Sequence, residues 1–301
     1  MTDTIDHGLA TIVTDPDTFR SAHWQQERAT GTIADPRTAT VLTTRDIEQI
    51  LLCSAVRFPY IKLSRTGTTI PVGSYIRSRD AGTTPVPGFI DPARTAELYR
   101  QGATIVLNRL EEWYPPVARL CHQVSQSFDA TYVEAGAFLS PPGAQALPLH
   151  RDCQDLLILQ LEGTKSWETE QRTPAGAWTE GAADSLAQPL HPHTLRAGEF
   201  LYLPRGAAHR ASAGTDHHSL HLTLGVNRLD TVSVKRHFDL VIDRALTEIG
   251  LPSSDDDDAT LLARLAQRMA SRTADSRPHT LRANIDPDQA LLTVSDWRTT
   301  A

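Results

Sequence analysis

Apolar residues recur mainly at the spacing of a helix in the first 128 residues and at the spacing of strands in residues 131–226. The clearest helical stripe lies in residues 116–128 and consists of Val117, Leu120, Cys121, Val124 and Phe128. After residue 131, short apolar runs are separated by turn residues at intervals of about 8–12 positions. That spacing is typical of an antiparallel barrel or jelly roll, so the pattern predicts a mainly β protein with flanking helices.

The N-terminal part is predicted to mix helices with short strands. Capping residues and prolines indicate four helices, at residues 15–24, 44–52, 91–100 and 116–128, with Thr44 as the cap of the second. Strands are predicted at residues 39–42, 57–63 and 103–108. Residues 64–87 are rich in Gly, Thr and Pro and are predicted to form a loop. A basic set could meet an acidic substrate there as a group, although a solvated loop is the simpler interpretation of each member: Lys62, Arg65, Arg77 and Arg79.

The predicted barrel strands occupy residues 131–139, 156–161, 165–169, 193–195, 199–203 and 219–226, and residues 173–187 form a polar insertion. Helical spacing returns in residues 234–249, and a second helix is predicted at 259–270. We therefore expect a mixed α/β region at residues 1–128 that packs on a barrel core at 129–230. Residues 231–301 are expected to form a helical region whose apolar face could supply a homodimer contact.

Composition narrows the classes of function. The chain carries 29 basic and 36 acidic residues, a net charge of −7, which does not favour nucleic acid as a partner. The first residues lack the basic and apolar regions of a signal peptide, and no apolar run approaches the ~18 residues that cross a bilayer. The three cysteines, Cys53, Cys121 and Cys153, are far apart, as expected of reduced thiols in the cytoplasm.

The candidate chemistry lies in residues 147–168, which contain the pair His150 and Asp152. Residues i and i+2 of a strand point to the same face, so this H-x-D pair sets an imidazole beside a carboxylate. A third ligand must come from elsewhere, and His209, after a predicted strand and a Pro-Arg-Gly turn, is the best candidate. Two histidines and one carboxylate with open positions are the usual arrangement in non-haem Fe(II) oxygenases.

With these residues in view, the chain resembles the cupin-4 branch of the JmjC-type Fe(II)/2-oxoglutarate oxygenases, the branch that includes the ribosomal oxygenases. The resemblance rests on motifs in a fixed order, at residues 139–143 (LSPPG), 150–152 (HRD), 159–167 (LQLEGTKSW), 198–209 (GEFLYLPRGAAH) and 219–223 (SLHLT). It implies a double-stranded β-helix, with iron held by His150, Asp152 and His209.

The same resemblance implies that Lys165 binds the distal carboxylate of 2-oxoglutarate. The chemistry allows this role, because an ammonium group can pair with the outer carboxylate of a dicarboxylate that chelates the metal at its other end. Ser219, His221 and Thr223 alternate on one strand and can all point into the barrel. We predict His221 and Thr223 as cosubstrate contacts, with a polar barrel interior as the equal alternative. Surface or structural roles are predicted for the other prominent histidines, His191, His193, His217 and His218.

The resemblance implies Fe(II), 2-oxoglutarate and O2 as the cofactor and cosubstrates, and hydroxylation of an amino-acid residue in a protein, peptide or small-molecule precursor. An N-methyl demethylase shares every one of these residues. A cupin that binds metal without redox chemistry is a second alternative, and Lys165 argues against it. Gly136 and Phe138 stand where ribosomal oxygenases often carry Asn and Tyr, which leaves a ribosomal-protein substrate open.

Overall fold

The computed structural model describes residues 8–53, 55–128, 132–176, 178–183, 185–227, 262–264 and 266–267. Its helices are α1 (Pro16–Ala22), α2 (Thr44–Cys53), α3 (Pro92–Arg100), α4 (Leu110–Trp113) and α5 (Pro115–Ser127). The four predicted helices are confirmed, and α4 was missed. The cap of α2 is one residue earlier than predicted, because Asp46 accepts the N–H and hydroxyl of Thr43 at 2.8 and 2.6 Å.

The described chain is mainly β, as predicted. Its strands are β1 (Ala29–Thr32), β2 (Ile61–Arg65), β3 (Thr68–Thr69), β4 (Ile76–Ala81), β5 (Thr84–Ile90), β6 (Thr104–Leu107), β7 (Tyr132–Ser140), β8 (His150–Arg151), β9 (Asp155–Glu162), β10 (Thr164–Thr169), β11 (Gly181–Ala182), β12 (His191–Arg196), β13 (Glu199–Leu203), β14 (His209–Ala213) and β15 (Ser219–Asn227).

Two antiparallel sheets build the core of the molecule. The larger sheet has the order β1-β13-β9-β15-β7-β6-β2-β3, and the smaller has the order β11-β8-β14-β10-β12. Strands that are neighbours in sequence, such as β9 and β10, lie in different sheets. The chain therefore passes repeatedly from one sheet to the other, which brings distant segments together around the space that the sheets enclose.

Strand β9 shows how the alternating pattern divides the core. Leu157 and Leu159 belong to the main apolar cluster, which also contains the buried stripe of α5. Leu156 and Ile158 point the other way, into a smaller cluster with Trp167 and residues of β12 and β13. Both faces of β9 are buried, so its residues read as a continuous apolar run.

The strand predicted at residues 39–42 is wrong. Thr38–Thr40 form a 3-10 turn, at the start of which the N–H of Thr38 donates to the backbone carbonyl of Asp35 at 2.9 Å. The strand of this region is β1, which pairs with β13 at the edge of the larger sheet. The Thr- and Gly-containing segment from Ala29 to Thr32 has little apolar character, and only its pairing partner fixes it as a strand.

The loop predicted at residues 64–87 is also wrong in part. Strands β4 and β5 form a separate hairpin, and Gly82 takes a φ of +64° in the turn that connects them. The guanidinium groups of Arg57 and Arg79 lie 5.6 and 4.9 Å from the centre of the Phe89 ring. Arg79 of the predicted basic set is therefore engaged within this hairpin.

The helices predicted at residues 234–249 and 259–270, and the dimer contact with them, lie largely outside the described residues. Within the part of the chain that the structure describes, no helix combines the length and the apolar character needed to cross a membrane.

Candidate active site

Two histidines from adjacent strands and one aspartate meet at one end of the smaller sheet. His150 lies on β8 and is paired in register with His209 on β14. Asp152 follows β8 directly, and its Oδ2 lies 3.7 Å from Nε2 of His150 and 3.4 Å from Nε2 of His209. The potential ligand atoms of all three residues lie within 4.8 Å of one another, as a single metal ion requires.

The backbone orients both imidazole rings. Nδ1 of His150 lies 2.8 Å from the carbonyl oxygen of Pro148, and Nδ1 of His209 lies 3.0 Å from that of Ala207. A carbonyl can only accept, so each Nδ1 carries a proton, and Nε2 is the ring nitrogen left to bind a metal ion. Both Nε2 atoms lie close to the Asp152 carboxylate, so the three groups can share one metal ion.

The environment keeps His209 neutral. Burial, followed by the neighbouring His150, lowers the pKa of His209 to about 4, although the Asp152 carboxylate opposes the shift. His209 is 4% exposed. It therefore presents an unprotonated nitrogen at physiological pH, which is the form that binds a cation.

All six predicted site residues line one cavity of about 210 Å³ between the two sheets: His150, Asp152, Lys165, His209, His221 and Thr223. Apolar side chains, among them Leu156, Ile158 and Trp167, form much of the remaining wall. The cavity is smaller than the ~300–1,000 Å³ of pockets for drug-sized ligands, so its size suits a small molecule beside a metal ion.

Lys165 is a buried lysine whose hydrogen-bond partner among the described residues is a hydroxyl. It lies on β10, is 2% exposed and donates from Nζ to Oγ of Ser140 at 3.1 Å. Among the described residues, no carboxylate forms an ion pair with it. Burial lowers the pKa of Lys165 to about 7. An ammonium group in this state gains strongly from an incoming anion.

His221 lies farther along the same cavity wall, on β15. Its ring stacks on Phe138 at 4.7 Å between centroids and meets the edge of Trp167 at 5.4 Å. Nδ1 of His221 is buried without a hydrogen-bond partner among the described residues. Burial lowers its pKa well below the ordinary value, and Lys165 adds to the shift. Thr223 is half-buried on the same strand face.

Three groups that support the site were not predicted from the sequence, namely Ser140, Thr104 and the ion pair between Arg151 and Glu170. Ser140 receives the hydrogen bond of Lys165 and, at 2.9 Å, that of Thr104 on β6. A polar residue inside a strand as buried as β6 was the available signal for Thr104. The buried ion pair between Arg151 and Glu170 has no comparable signal, because its two residues are separated by 19 positions.

The residues assigned to surface or structural roles are placed accordingly. His191 and His217 are exposed, and His193 is half-buried on β12. His218 lies 2.8 Å from Glu162, which also accepts the N–H of Thr44 at 2.7 Å. None of the three cysteines, all within the described residues, forms a disulfide, and none lines the cavity.

Comparisons with known proteins agree with the fold and the residue pattern. The model of the JmjC domain family matches residues 111–239. Ribosomal oxygenase 1 of Gallus gallus is 31% identical over 216 residues, which cover 69% of this chain and 34% of that protein. The bifunctional lysine-specific demethylase and histidyl-hydroxylase NO66 of Drosophila mojavensis is 28% identical over 220 residues, 70% of this chain and 23% of that protein. The chain thus spans about a third or less of the length of these relatives.

A solved structure is similar to most of the chain. The ribosomal oxygenase YcfD from Escherichia coli, in complex with cobalt and 2-oxoglutarate, has a TM-score of 0.50 at 17% identity, covering 87% of this chain and 67% of that chain. At this identity the similarity concerns the fold alone.

Proposed function

We propose, from the premise that this chain belongs to the JmjC-type oxygenases through the domain at residues 111–239, that it is an Fe(II)- and 2-oxoglutarate-dependent hydroxylase. His150, Asp152 and His209 would hold the iron and Lys165 would hold the cosubstrate. The observation that carries this proposal is the meeting of a His-Asp-His set with a buried, anion-free lysine in one cavity. A double-stranded β-helix at residues 129–230 is the corresponding domain assignment.

The donor set fits a divalent transition metal. Two imidazole rings, each with Nδ1 held by a backbone carbonyl, and one carboxylate line the same cavity. Two imidazoles and one carboxylate with vacant positions suit non-haem Fe(II). Bound iron would supply O2 activation coupled to the conversion of 2-oxoglutarate into succinate and CO2. The chain supplies the orientation of the groups and a largely apolar wall that limits water.

Lys165 would bind the carboxylate of 2-oxoglutarate farther from the metal. The position deep between the sheets lets the ammonium group pair with a carboxylate whose other end lies at the His-Asp-His set. Ser140 fixes the lysine by hydrogen bonding, and Thr104 fixes Ser140. His221 offers an unpartnered ring nitrogen, and Thr223 a hydroxyl, to the same molecule.

The substrate is proposed to be an amino-acid residue of a protein or peptide, or a related small molecule. The relatives' names speak of ribosomal oxygenase, histidyl hydroxylation and lysine demethylation. Phe138 lines the cavity, and Gly136 is paired with Thr223 on the neighbouring strand, so the two departures from the ribosomal oxygenases lie at or beside the site. A ribosomal protein is therefore one candidate among these classes. Cytoplasmic location and a homodimer through residues 231–301 stay predictions from the sequence.

The test of the proposal is succinate formation by the iron-loaded protein on a panel of peptides and ribosomal proteins. Hydroxylation adds one oxygen atom, about 16 Da, to the product. N-methyl demethylation instead removes about 14 Da and releases formaldehyde. A product without formaldehyde supports the hydroxylase, whereas stoichiometric formaldehyde establishes the demethylase. Tight metal binding without turnover of 2-oxoglutarate, with or without substrate, would favour a non-redox cupin.

The binding of 2-oxoglutarate should consume a proton above neutral pH. The pKa of Lys165 is lowered to about 7 by burial, so most of the free protein holds a neutral lysine at pH 8. A bound carboxylate stabilises the ammonium form and raises that pKa again. We therefore expect the dissociation constant of 2-oxoglutarate in the metal-loaded protein to rise up to about tenfold per pH unit above pH 7.

Calorimetry in two buffers of different ionisation enthalpy measures this proton uptake. It should approach one proton at pH 8 and fall toward zero at pH 6. An equal proton count at both pH values would contradict the assignment of Lys165. The variant K62M, which removes an exposed lysine of β2, serves as the control and should show the wild-type values.

A further inference from the structure

The buried ion pair between Arg151 and Glu170 connects the two segments that carry the metal ligands. Arg151 stands between His150 and Asp152 in sequence and is paired across the sheet with the insertion strand β11. Glu170 directly follows β10, the strand that pairs with β14. The side chains of Arg151 and Glu170 are 7% and 0% exposed, so their ion pair is shielded from solvent.

Glu170 forms two hydrogen bonds with the backbone of Ala208, the residue that precedes His209. Its Oε2 accepts the N–H of Ala208 at 3.0 Å, and its own N–H donates to the carbonyl of Ala208 at 2.9 Å. The N–H of Ala208 belongs to the same peptide unit as the carbonyl of Ala207, which accepts the Nδ1 proton of His209. Glu170 therefore holds the peptide plane that orients the imidazole ring.

Arg151 contacts the same turn at Gly206. It donates to the carbonyl of Gly206, while the N–H of Gly206 donates to the carbonyl of Asp152 at 2.8 Å. Gly206 is therefore hydrogen-bonded to Arg151 through its carbonyl and to Asp152 through its N–H. These bonds connect the turn that precedes His209 to the segment that carries Asp152. Gly206 has a φ of +77°, and a Cβ added there would lie 2.5 Å from the ring of Trp178, so this position of the turn requires glycine.

Arg151 and Glu170 also form hydrogen bonds with the backbone of the insertion at residues 173–187. Nη2 of Arg151 donates to the carbonyl of Ser185 at 3.0 Å and to Oε1 of Glu170 at 3.2 Å. The same Oε1 accepts the N–H groups of Ala187 and Gln188 at 2.7 and 3.1 Å. Each of these hydrogen bonds is formed with a backbone group or with the partner side chain. The Arg151–Glu170 pair, called the brace below, therefore connects the insertion to the segments that carry Asp152 and His209.

We infer that Arg151 and Glu170 are positioning residues that set the geometry of the proposed metal centre, although neither side chain reaches the metal. The inference rests on the proposed function, since it presupposes that His150, Asp152 and His209 bind a cation. Groups that orient metal ligands by hydrogen bonding typically change the metal affinity about 10–100-fold. We expect a loss in that range when either partner of the brace is removed.

The test measures Co(II) affinity of the metal-free protein by its visible absorption, for the wild type, R151M and E170Q. R151M leaves Glu170 with its backbone donors, and E170Q keeps an acceptor oxygen but removes the charge. The expected result is a dissociation constant raised about 10–100-fold in both, with a changed Co(II) spectrum. Circular dichroism and thermal melting establish that each variant is folded at the temperature of the titration.

Two further variants keep the result decisive. The variant R151K keeps a positive charge near Glu170 but lacks the several fixed N–H donors of the guanidinium group. Its Co(II) affinity should therefore lie between those of the wild type and R151M. The control is the exposed pair of Glu168 and Arg210, which joins the same strands β10 and β14 at 2.6 Å with both side chains 45% exposed. E168Q should leave both the affinity and the spectrum unchanged.

The outcomes separate the two claims. Folded R151M, R151K or E170Q protein with wild-type Co(II) affinity and spectrum would overturn the brace while leaving the proposed function intact. Absence of Co(II) binding in the wild type would instead overturn the proposed function. If E170Q does not fold, R151M and R151K alone decide the question.

Discussion

The variant K165M should lose 2-oxoglutarate while the folded protein becomes more stable. Methionine matches the length of lysine and preserves the packing between the sheets, but it removes the ammonium group. Truncating one partner of a buried, hydrogen-bonded charge pair costs about 2–5 kcal/mol, so the dissociation constant of 2-oxoglutarate should rise at least about 30-fold. Isothermal titration with metal-loaded protein measures this loss, and K62M should bind as the wild type does.

The stability change follows from the sign of the pKa shift. Burial lowers the pKa of Lys165 from 10.5 to about 7, so the folded protein carries a penalty for the charged form. The penalty applies in full below pH 7 and disappears as the pH rises toward 10.5. It amounts to about 5 kcal/mol on a scale of about 1.4 kcal/mol per pKa unit. K165M without ligand should therefore melt at a higher temperature than the wild type at pH 6, with a smaller difference at pH 9.

This combination distinguishes a ligand-binding lysine from a structural one. A lysine that stabilises the fold would lower the melting temperature when removed. A lower melting temperature of K165M at pH 6, together with unchanged 2-oxoglutarate binding, would contradict the role assigned to Lys165.

The variant D152N should abolish turnover. The amide has the size of the carboxylate but no charge, so the anionic ligand is lost and only the ring nitrogens of His150 and His209 remain as unchanged ligands. Partners that only orient metal ligands are worth about 10–100-fold in affinity, and loss of a direct ligand should exceed that range. We expect a Co(II) dissociation constant raised more than about 100-fold and succinate formation below about 1% of wild type.

The matched control for this variant is D216N, at an exposed aspartate in the turn before β15. It should retain Co(II) affinity and turnover. Wild-type Co(II) affinity in folded D152N would contradict the role of Asp152 as a ligand, whatever its effect on turnover.

The site was predictable from sequence where side-chain identity and local spacing carry the information. His150 and Asp152 are two residues apart, and the spacing alone sets them side by side. His209 is distant in sequence, but its position after a strand and a tight turn gave it a place at the same end of the barrel. Lys165 came from the resemblance, and the structure adds the reason that a buried ammonium there needs an anion.

The remaining parts depend on pairings that no local pattern encodes. Strand β8 has two residues, too few for a periodic signal, and its place is fixed by β14 and β11. Thr104 reaches Ser140 across two paired strands. Edge strand β1 and the hairpin of β4 and β5 were misassigned, because their Thr, Gly and Pro content resembles that of loops.

An anaerobic titration of metal-free protein with Fe(II) and then 2-oxoglutarate, followed by visible absorption, shows whether the site binds both together. We expect a metal-to-ligand charge-transfer band in the wild type, with saturation at about one equivalent of iron. K165M should require at least about 30-fold more 2-oxoglutarate for the same band, and D152N should show none. Iron binding by the wild type without any band on addition of 2-oxoglutarate would contradict the proposed oxygenase and favour a metal-binding cupin without redox chemistry.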